Sequence, residues 1–299
     1  MKLPAVFIHN VKLAFGLAGE QFLVYLPSLI KEASSRWQLT IGEPFELSFN
    51  YVVPAIRADG TPAVLKIGVP NRELTSEIEA LRLYNGRGIA RLLEADAEKG
   101  FLLQERLLPG TMLSEMQDDD RATEIAAQII QTLWQTAPEN DNLIRLEDWF
   151  KGLDRYRQKY PGSEGPLPKT LVDKARNHVR GLFAENEPDV VLHGDCHHYN
   201  ILQSGHDWKA IDPKGVIGPR GYDVGPLLAN PYPSFLEHPE PGKRIRRRIA
   251  ILSEYLQMET DYIRRWALAQ FVLSASWDLD ENGQGGEYAI RCAQLITNP

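Results

Sequence analysis

His193-Gly194-Asp195-Cys196-His197-His198-Tyr199-Asn200, followed twelve residues later by Asp212 in Ile211-Asp212-Pro213-Lys214, decides how the rest of the 299-residue chain is read. It sets an Asp, an Asn five residues on, and a second Asp at the end of the next short strand. That is the spacing of a kinase catalytic loop and its metal-binding Asp. The residue types suit the chemistry. A carboxylate, Asp195, can orient a hydroxyl nucleophile and accept its proton, and the oxygen ligands Asn200 and Asp212 suit a hard cation such as Mg2+. Two other readings compete. Short patterns recur by chance, so His-Gly-Asp can be a plain turn. Three of the seven histidines also lie here, which raises a zinc site. The order H-G-D-C-H-H, however, matches neither H-x-H-x-D-H nor the Glu-containing H-E-x-x-H pattern.

Working outward, such a loop needs a lysine for nucleotide phosphates on a strand. Val64-Leu65-Lys66-Ile67 supplies one in an apolar run. A lysine buried in a strand is costly unless it is paired, so a carboxylate is expected on the helix that the spacing places over 72–85. Glu77 is the choice; Glu73 lies one turn away on the same face and Glu79 points elsewhere. Alone, Lys66 would read as an edge-strand lysine kept for solubility. Phe101-Leu102-Leu103-Gln104-Glu105-Arg106-Leu107, ahead of Pro109-Gly110, reads as a strand running into a connector. Gln104 is expected at the nucleotide, with backbone groups of Glu105 and Leu107 at an adenine edge. The implied cofactors are ATP and Mg2+.

The remaining patterns give an α+β chain. A helix is expected over 19–37, kinked at Pro27, then a β-rich stretch with a hairpin at Asp59-Gly60. Strands follow near 91–96 and 100–107, and Pro109-Gly110 reads as a loop. Helices are expected over 118–136, 145–159, 169–186, 243–258, 261–277 and 287–296, with a loop at 161–168 and short strands at 190–192 and 207–212. The organisation predicted is a lobe over 1–104 with a helical extension 1–36, a connector at 105–110, and a mostly helical lobe over 111–299.

Composition narrows the classes. With 43% hydrophobic and 24% charged residues the chain is an ordinary globular protein, which excludes wholesale disorder. Its net charge of −7 argues against a dedicated nucleic-acid binder. Cys196 and Cys292 cannot make a disulfide framework. No run approaches the roughly 18 consecutive apolar residues of a membrane span. His9, Asn10 and Lys12 interrupt what could be a signal peptide. A cytoplasmic protein, monomeric or homodimeric and without nucleic-acid or membrane partners, is expected. Cys196, beside Asp195, is expected to pack as a small residue and to make the protein sensitive to thiol reagents. Lys243-Arg244-Ile245-Arg246-Arg247-Arg248 reads as a solvated helix face. Asp118-Asp119-Asp120 reads as a helix start that can also face the cleft.

The phrases AVLKIG, EALRLYNGRGIARLLEAD, LLQERLLPG, VVLHGDCHHYNIL, AIDPKGVIGPRGYDVGPLLANP and LSASWDL resemble the kinase-like aminoglycoside phosphotransferase family, and within it the aminoglycoside/hydroxyurea resistance kinases. The resemblance runs from about Trp37 to Trp277. It implies a bilobal protein-kinase-like fold with ATP in the cleft and Mg2+ bridging its phosphates. By that likeness Lys66 contacts the α- and β-phosphates and Glu77 holds it. Asp195 is the base, and Asn200 and Asp212 are the metal ligands. Asp223 and His193 brace the loop. The segment 42–50 has one glycine and no G-x-G-x-x-G, so Ser48 and Asn50 are its only candidate phosphate contacts. Lys214 either approaches the transferred phosphoryl group or pairs with a carboxylate.

Asp212 and Asp223 are eleven residues apart, too close for the long activation segment of a protein kinase. A small acceptor fits better. Trp277-Asp278-Leu279-Asp280-Glu281 puts an aromatic beside three carboxylates, which suits a cationic, polyhydroxylated molecule or, equally, a solvated helix end; family position favours Trp277 and Asp278 as acceptor contacts. Charge division agrees: residues 1–104 carry 11 Lys+Arg and 11 Asp+Glu, and residues 105–299 carry 22 and 29. A metabolic kinase for choline, homoserine or an amino sugar, and a non-catalytic nucleotide-binding regulator, are the alternatives.

Overall fold

The β-branched and aromatic run after Trp37 folds into an antiparallel sheet of five strands. Its spatial order is β1 (Leu39–Ile41), β2 (Tyr51–Arg57), β3 (Pro62–Ile67), β5 (Phe101–Glu105) and β4 (Leu92–Asp96). The computed structural model describes residues 3–139, 142–160, 165–282 and 285–297, with the side chains at 280–282 outside the description. Residues 161–164 of the 161–168 loop and the side chains of Asp280 and Glu281 therefore lie outside the described residues.

Helix α1 (Ala5–Arg36) departs from the sequence pattern. The chain is helical from Ala5, Pro27 lies within the helix, and the break falls at Gly16, with φ 52° and ψ −129°. That combination is open essentially to glycine. The turn brings Lys12 Nζ to 3.5 Å from Glu20, eight residues on. By length and mean hydropathy, 1.4 over 18 residues, α1 is apolar enough to pass as a membrane-spanning helix, although it holds no 18 consecutive apolar residues. Isolated polar residues break a consecutive apolar run without lowering its average much. Phe7, Val11, Phe22, Leu26 and Ile30 of α1 are nevertheless buried with Val53, Leu65 and Phe101 of the sheet.

A second core holds the rest of the chain together with α2 (Arg72–Tyr84), whose Leu74, Ile78, Leu81 and Tyr84 join it. Asn71 caps α2, its Oδ1 accepting from Leu74 N at 2.8 Å. Ser76 Oγ donates to Gly215 O and accepts from Ile144 N at 3.1 Å. Helix α2 is thus tied to the C-terminal core as well as to the strand before it. The expected loop at Pro109-Gly110 opens β6 (Pro109–Met112), which pairs with the hairpin β9 (Ile201–Ser204) and β10 (Asp207–Ala210). A third small sheet joins β7 (Ile144–Arg145), β11 (Val216–Gly218) and β8 (Val190–Leu192).

The helices are α3 (Asp119–Leu133), α4 (Leu146–Lys159), α5 (Lys169–Ala184), the short α6 (Gly225–Leu228) and α7 (Ser234–Glu237), α8 (Pro241–Leu256), α9 (Thr260–Asn282) and α10 (Glu287–Thr297). Helix α9 is central, its middle turns buried on most sides, and packs on α4, α5, α6, α8 and α10. The basic and acidic runs meet each other. Asp118 caps α3 through Arg121 N, Asp119 pairs with Arg244 and Arg248, and Asp120 pairs with Arg247. Arg248 is fully buried, which corrects the solvated-face reading of that cluster: half of it answers carboxylates on another helix.

Gly221 shows why the Gly-Tyr-Asp motif starts with glycine. A Cβ there would lie 2.3 Å from Trp266 Cδ1 and 2.4 Å from Tyr262 Cε1. We expect Gly221→Ala to cost about 2 kcal/mol by overpacking against two rings and to lower Tm by several degrees. Gly181→Ala, on the exposed side of α5 with open space around it, should raise stability by up to about 1 kcal/mol. Thermal melts of the two variants check this pair; equal effects would contradict it.

Candidate active site

The 193–200 loop is irregular, and its position comes from a buried carboxylate behind it. Asp223 Oδ1 accepts from Gly194 N at 2.7 Å, and Oδ2 accepts from His193 N at 3.1 Å and Trp134 Nε1 at 3.2 Å. Burial pushes Asp223 up to about 6, with the three N–H groups opposing. His193 extends the brace. Its Nδ1 accepts from Asp195 N at 3.2 Å, so Nε2 carries the proton and donates to Ile211 O at 2.8 Å. Lys214 N donates to His193 O at 2.7 Å. The loop is thereby fastened to the residues on either side of Asp212, which sits at φ 55°, a conformation rare outside glycine.

Asn200 Nδ2 donates to Asp195 O at 3.0 Å. Its Oδ1 is left as an acceptor, so Asn200 and Asp212 form an all-oxygen donor set of the kind Mg2+ takes. Burial alone would raise the Asp212 carboxyl, but Lys66 and Lys214 outweigh it and hold it below its ordinary value. The same contest ends the same way at Asp195, where His197, Lys214 and His193 oppose burial. Lys214 acts on both carboxyls without closing an ion pair to either.

Lys66 and Glu77 are both buried, and Lys66 Nζ donates to Glu77 Oε1 at 2.7 Å and Oε2 at 2.9 Å. A longer contact of 3.4 Å reaches Asp212 Oδ1. Burial alone would discharge the amine; the Asp212 and Glu77 charges keep it protonated. At the connector, Gln104 is buried with Nε2 unpartnered, and the Leu107 N–H has no hydrogen bond among the described residues. Two unanswered donors beside a strand end fit the edge of a nucleobase. The Glu105 side chain is occupied elsewhere, accepting from Arg91 N at 2.9 Å and Lys209 Nζ at 2.6 Å.

Two cavities meet at Asp195 and His197. One, of about 880 Å3, is lined by Lys66, Glu77, Asn200, Asp212 and Lys214, with Ser48 and Asn50 of the 42–50 segment and Leu13 and Phe15 of α1. The other, of about 480 Å3, is lined by Asn230, Tyr232, Gln270, Asp278, Glu287 and Tyr288. Burial and the neighbouring Glu287 raise the Asp278 carboxyl. The structure therefore gathers Lys66, Glu77, Asp195, Asn200, Asp212, Lys214 and Asp278 around one junction. Trp277 is not on the cavity wall: its ring packs edge-on against Trp149, with centroids 5.3 Å apart.

The histidines go to separate partners. His193 braces Ile211, His198 lies 3.3 Å from Arg248 Nη2, and His197 Nε2 is 3.6 Å from Asp195 Oδ1. Tyr199 N donates to His197 Nδ1 at 3.3 Å, so the Nε2 proton faces the Asp195 carboxylate. His197 stands inside the motif, where the sequence raises it only as a zinc ligand; no spacing rule assigns it to Asp195. Tyr232, Gln270, Glu287 and Tyr288 come from segments without a motif. Cys196 is fully buried and burial pushes its thiol well above its ordinary value, which corrects the expected thiol-reagent sensitivity.

A family profile described as aminoglycoside/hydroxyurea antibiotic resistance kinase matches residues 36–283. The streptomycin 6-kinase of Streptomyces glaucescens is 30% identical over 300 residues, covering 99% of this chain and 97% of that protein. The hydroxyurea phosphotransferase of Kitasatospora aureofaciens is 31% identical over 299 residues, covering 97% and 83%. Among solved structures, a choline/ethanolamine kinase family protein from Mesorhizobium loti superposes with a TM-score of 0.64 at 17% identity, over 91% of this chain and 96% of that one. At that identity the likeness establishes the bilobal kinase-like fold.

His193 yields a pH prediction. Burial lowers its imidazole to about 4, against about 6.5 unfolded. As pH falls through that window the unfolded chain binds a proton and the native state does not, so stability is lost at up to about 1.4 kcal/mol per pH unit. His193→Asn removes this loss. The stability gap between wild type and variant should therefore shrink steadily from pH 6.5 to 4 in urea titrations. A gap independent of pH would contradict a neutral, buried His193.

Proposed function

This chain belongs to the aminoglycoside/hydroxyurea antibiotic resistance kinases and is a small-molecule phosphotransferase, and we propose that it moves the γ-phosphoryl group of ATP to a hydroxyl of a cationic, polyhydroxylated acceptor of the streptomycin kind. One observation carries the reading: Asp195 lines both the cavity that holds Lys66, Asn200 and Asp212 and the cavity that holds Asp278 and Glu287.

Asp195, held ionised, receives the acceptor hydroxyl and takes its proton as that oxygen bonds to the γ-phosphorus and the bond to the β,γ-bridging oxygen breaks. Lys66, positioned by Glu77, meets the α- and β-phosphates. Lys214 supplies positive charge at the transferred phosphoryl group. Asn200 and Asp212 would hold Mg2+, whose charge offsets that of the phosphates. Gln104, with backbone groups of Glu105 and Leu107, receives the base. On the acceptor side Asp278 and Glu287 meet cationic groups, and Tyr232 and Tyr288, with ring centroids 4.7 Å apart, offer apolar faces. Trp277 supports this wall from behind. Residues 1–104 form the nucleotide-covering lobe, 105–110 the connector and 111–299 the catalytic and acceptor lobe. Use of ATP fits a cytoplasmic protein.

An ADP-release screen over streptomycin, other aminocyclitols, hydroxyurea, choline and amino alcohols tests the reading. Turnover is expected with cationic aminocyclitols, and Asp195→Asn should lower kcat by about 10^3-fold with ATP affinity kept. Turnover confined to choline-type amino alcohols would shift the function to a metabolic kinase, and no Mg-dependent ATP consumption with any acceptor would overturn it. Asp278→Asn with Glu287→Gln should raise the acceptor KM by at least about tenfold. The ATP KM should stay within about twofold; equal effects on both would remove the acceptor assignment.

A further inference from the structure

The acidic run at the start of α3 and the basic run in α8 remain outside the chemistry above, yet their meeting point touches it. Arg248 is fully buried, and all of its nitrogens are engaged. Nε donates to Asp119 Oδ1 at 3.2 Å and Oδ2 at 3.1 Å, and Nη2 donates to Asp119 Oδ1. Nη1 donates to Leu227 O at 2.9 Å and to Asn230 O. Nη2 also lies 3.3 Å from His198 Nε2, and the guanidinium stacks 5.3 Å from the Phe235 ring centroid.

These contacts converge on two functional segments. His198 is the turn of the catalytic loop between Asp195 and Asn200. Leu227 and Asn230 belong to the 226–232 segment, which supplies Pro226, Ala229, Asn230 and Tyr232 to the smaller cavity. A second tie runs the same way, Tyr199 OH donating to Tyr232 O at 2.8 Å. A buried ion pair is weak as a source of stability, because desolvation offsets the attraction and apolar residues of similar size often do as well. What apolar residues cannot do is hold two carbonyls at fixed positions relative to a loop.

We propose that Arg248, locked by Asp119, is a positioning residue of the acceptor site: its guanidinium sets the 226–232 wall in register with the catalytic loop, so that a bound hydroxyl meets Asp195. The proposal rests on the phosphotransferase reading given above. It explains why the two oppositely charged runs occur 125 residues apart in one chain.

The double variant Arg248→Met/Asp119→Leu replaces the buried pair by apolar side chains and leaves only the part-exposed Arg244 without its carboxylate. The expected result is a Tm within a few degrees of wild type and an ATP KM within about twofold. The acceptor KM, read with whichever aminocyclitol the wild type turns over, should rise at least about tenfold. Arg248→Lys, which keeps the charge but not the planar fork, should show the same split and serves if the double variant does not fold. Hydrogen exchange supplies a readout that needs no acceptor: amides at 197–200 and 226–232 should exchange at least about tenfold faster in either variant, with those of α9 unchanged. Unchanged exchange at both segments would overturn the proposal, as would an acceptor KM within twofold of wild type or a uniform loss in ATP and acceptor KM with a collapsed Tm in both variants. If the wild type phosphorylates no acceptor, the phosphotransferase reading fails, while the exchange result still decides whether Arg248 sets the wall.

Discussion

Everything at the candidate site hangs on one buried carboxylate. Among the described residues no cation lies within ion-pair reach of Asp223, yet it is fully buried. Its desolvation is offset by three N–H donors, two of them the backbone amides of His193 and Gly194. Any shift of the loop would leave this charge unsatisfied, so the loop has one low-energy position. From there the constraint propagates through His193 to the carbonyl of Ile211 and so to Asp212. The left-handed conformation of Asp212 is held from both sides: Ile211 N donates to Asn200 O at 2.9 Å and Lys214 N to His193 O at 2.7 Å.

A second charge arrangement aligns the two halves of the cleft. Lys66 belongs to a strand of the N-terminal sheet, and Glu77 to a helix whose apolar face lies in the C-terminal core. Neither charge is tolerable in its own surroundings alone. Their pairing, with Asp212 3.4 Å from the same ammonium, sets the strand, the helix and the Asp212 segment at mutually fixed distances. The larger cavity is shaped by this arrangement, and the smaller by the 226–232 segment on the far side of Asp195. Asp195 is the point at which the two meet.

Legibility in the sequence followed the physics of each element. Lys66, Glu77, Asp195, Asn200 and Asp212 were readable because spacing along a loop or across a strand and helix dictates which residues can meet; Asp223 was readable only through the family resemblance. The strongly periodic helices were readable for the same reason, and α2, expected over 72–85, spans Arg72–Tyr84. The first half of α1 was not, because scattered polar residues hide an apolar face whose continuity depends on a break at Gly16. Strand β6 was not, because Pro109-Gly110 signals a turn and only the distant hairpin at 201–210 supplies its partner. Arg248 reads as part of a solvated face and Asp119 as a helix start because nothing local records that α8 and α3 pack together. The wall of the smaller cavity, drawn from α9, α10 and the 226–232 segment, is likewise a product of tertiary packing, and Trp277 is expected on it from family position although its ring turns to Trp149.

The central claim is that the junction at Asp195 couples a nucleotide to an acceptor hydroxyl. It is tested most directly by 31P NMR of the complete reaction with Mg-ATP and streptomycin. The arrangement of the two cavities predicts one new phosphomonoester resonance, coupled to a ring CH–O proton and growing in step with ADP. ATP consumed only to inorganic phosphate, or a phosphorylated nitrogen in place of oxygen, would contradict it.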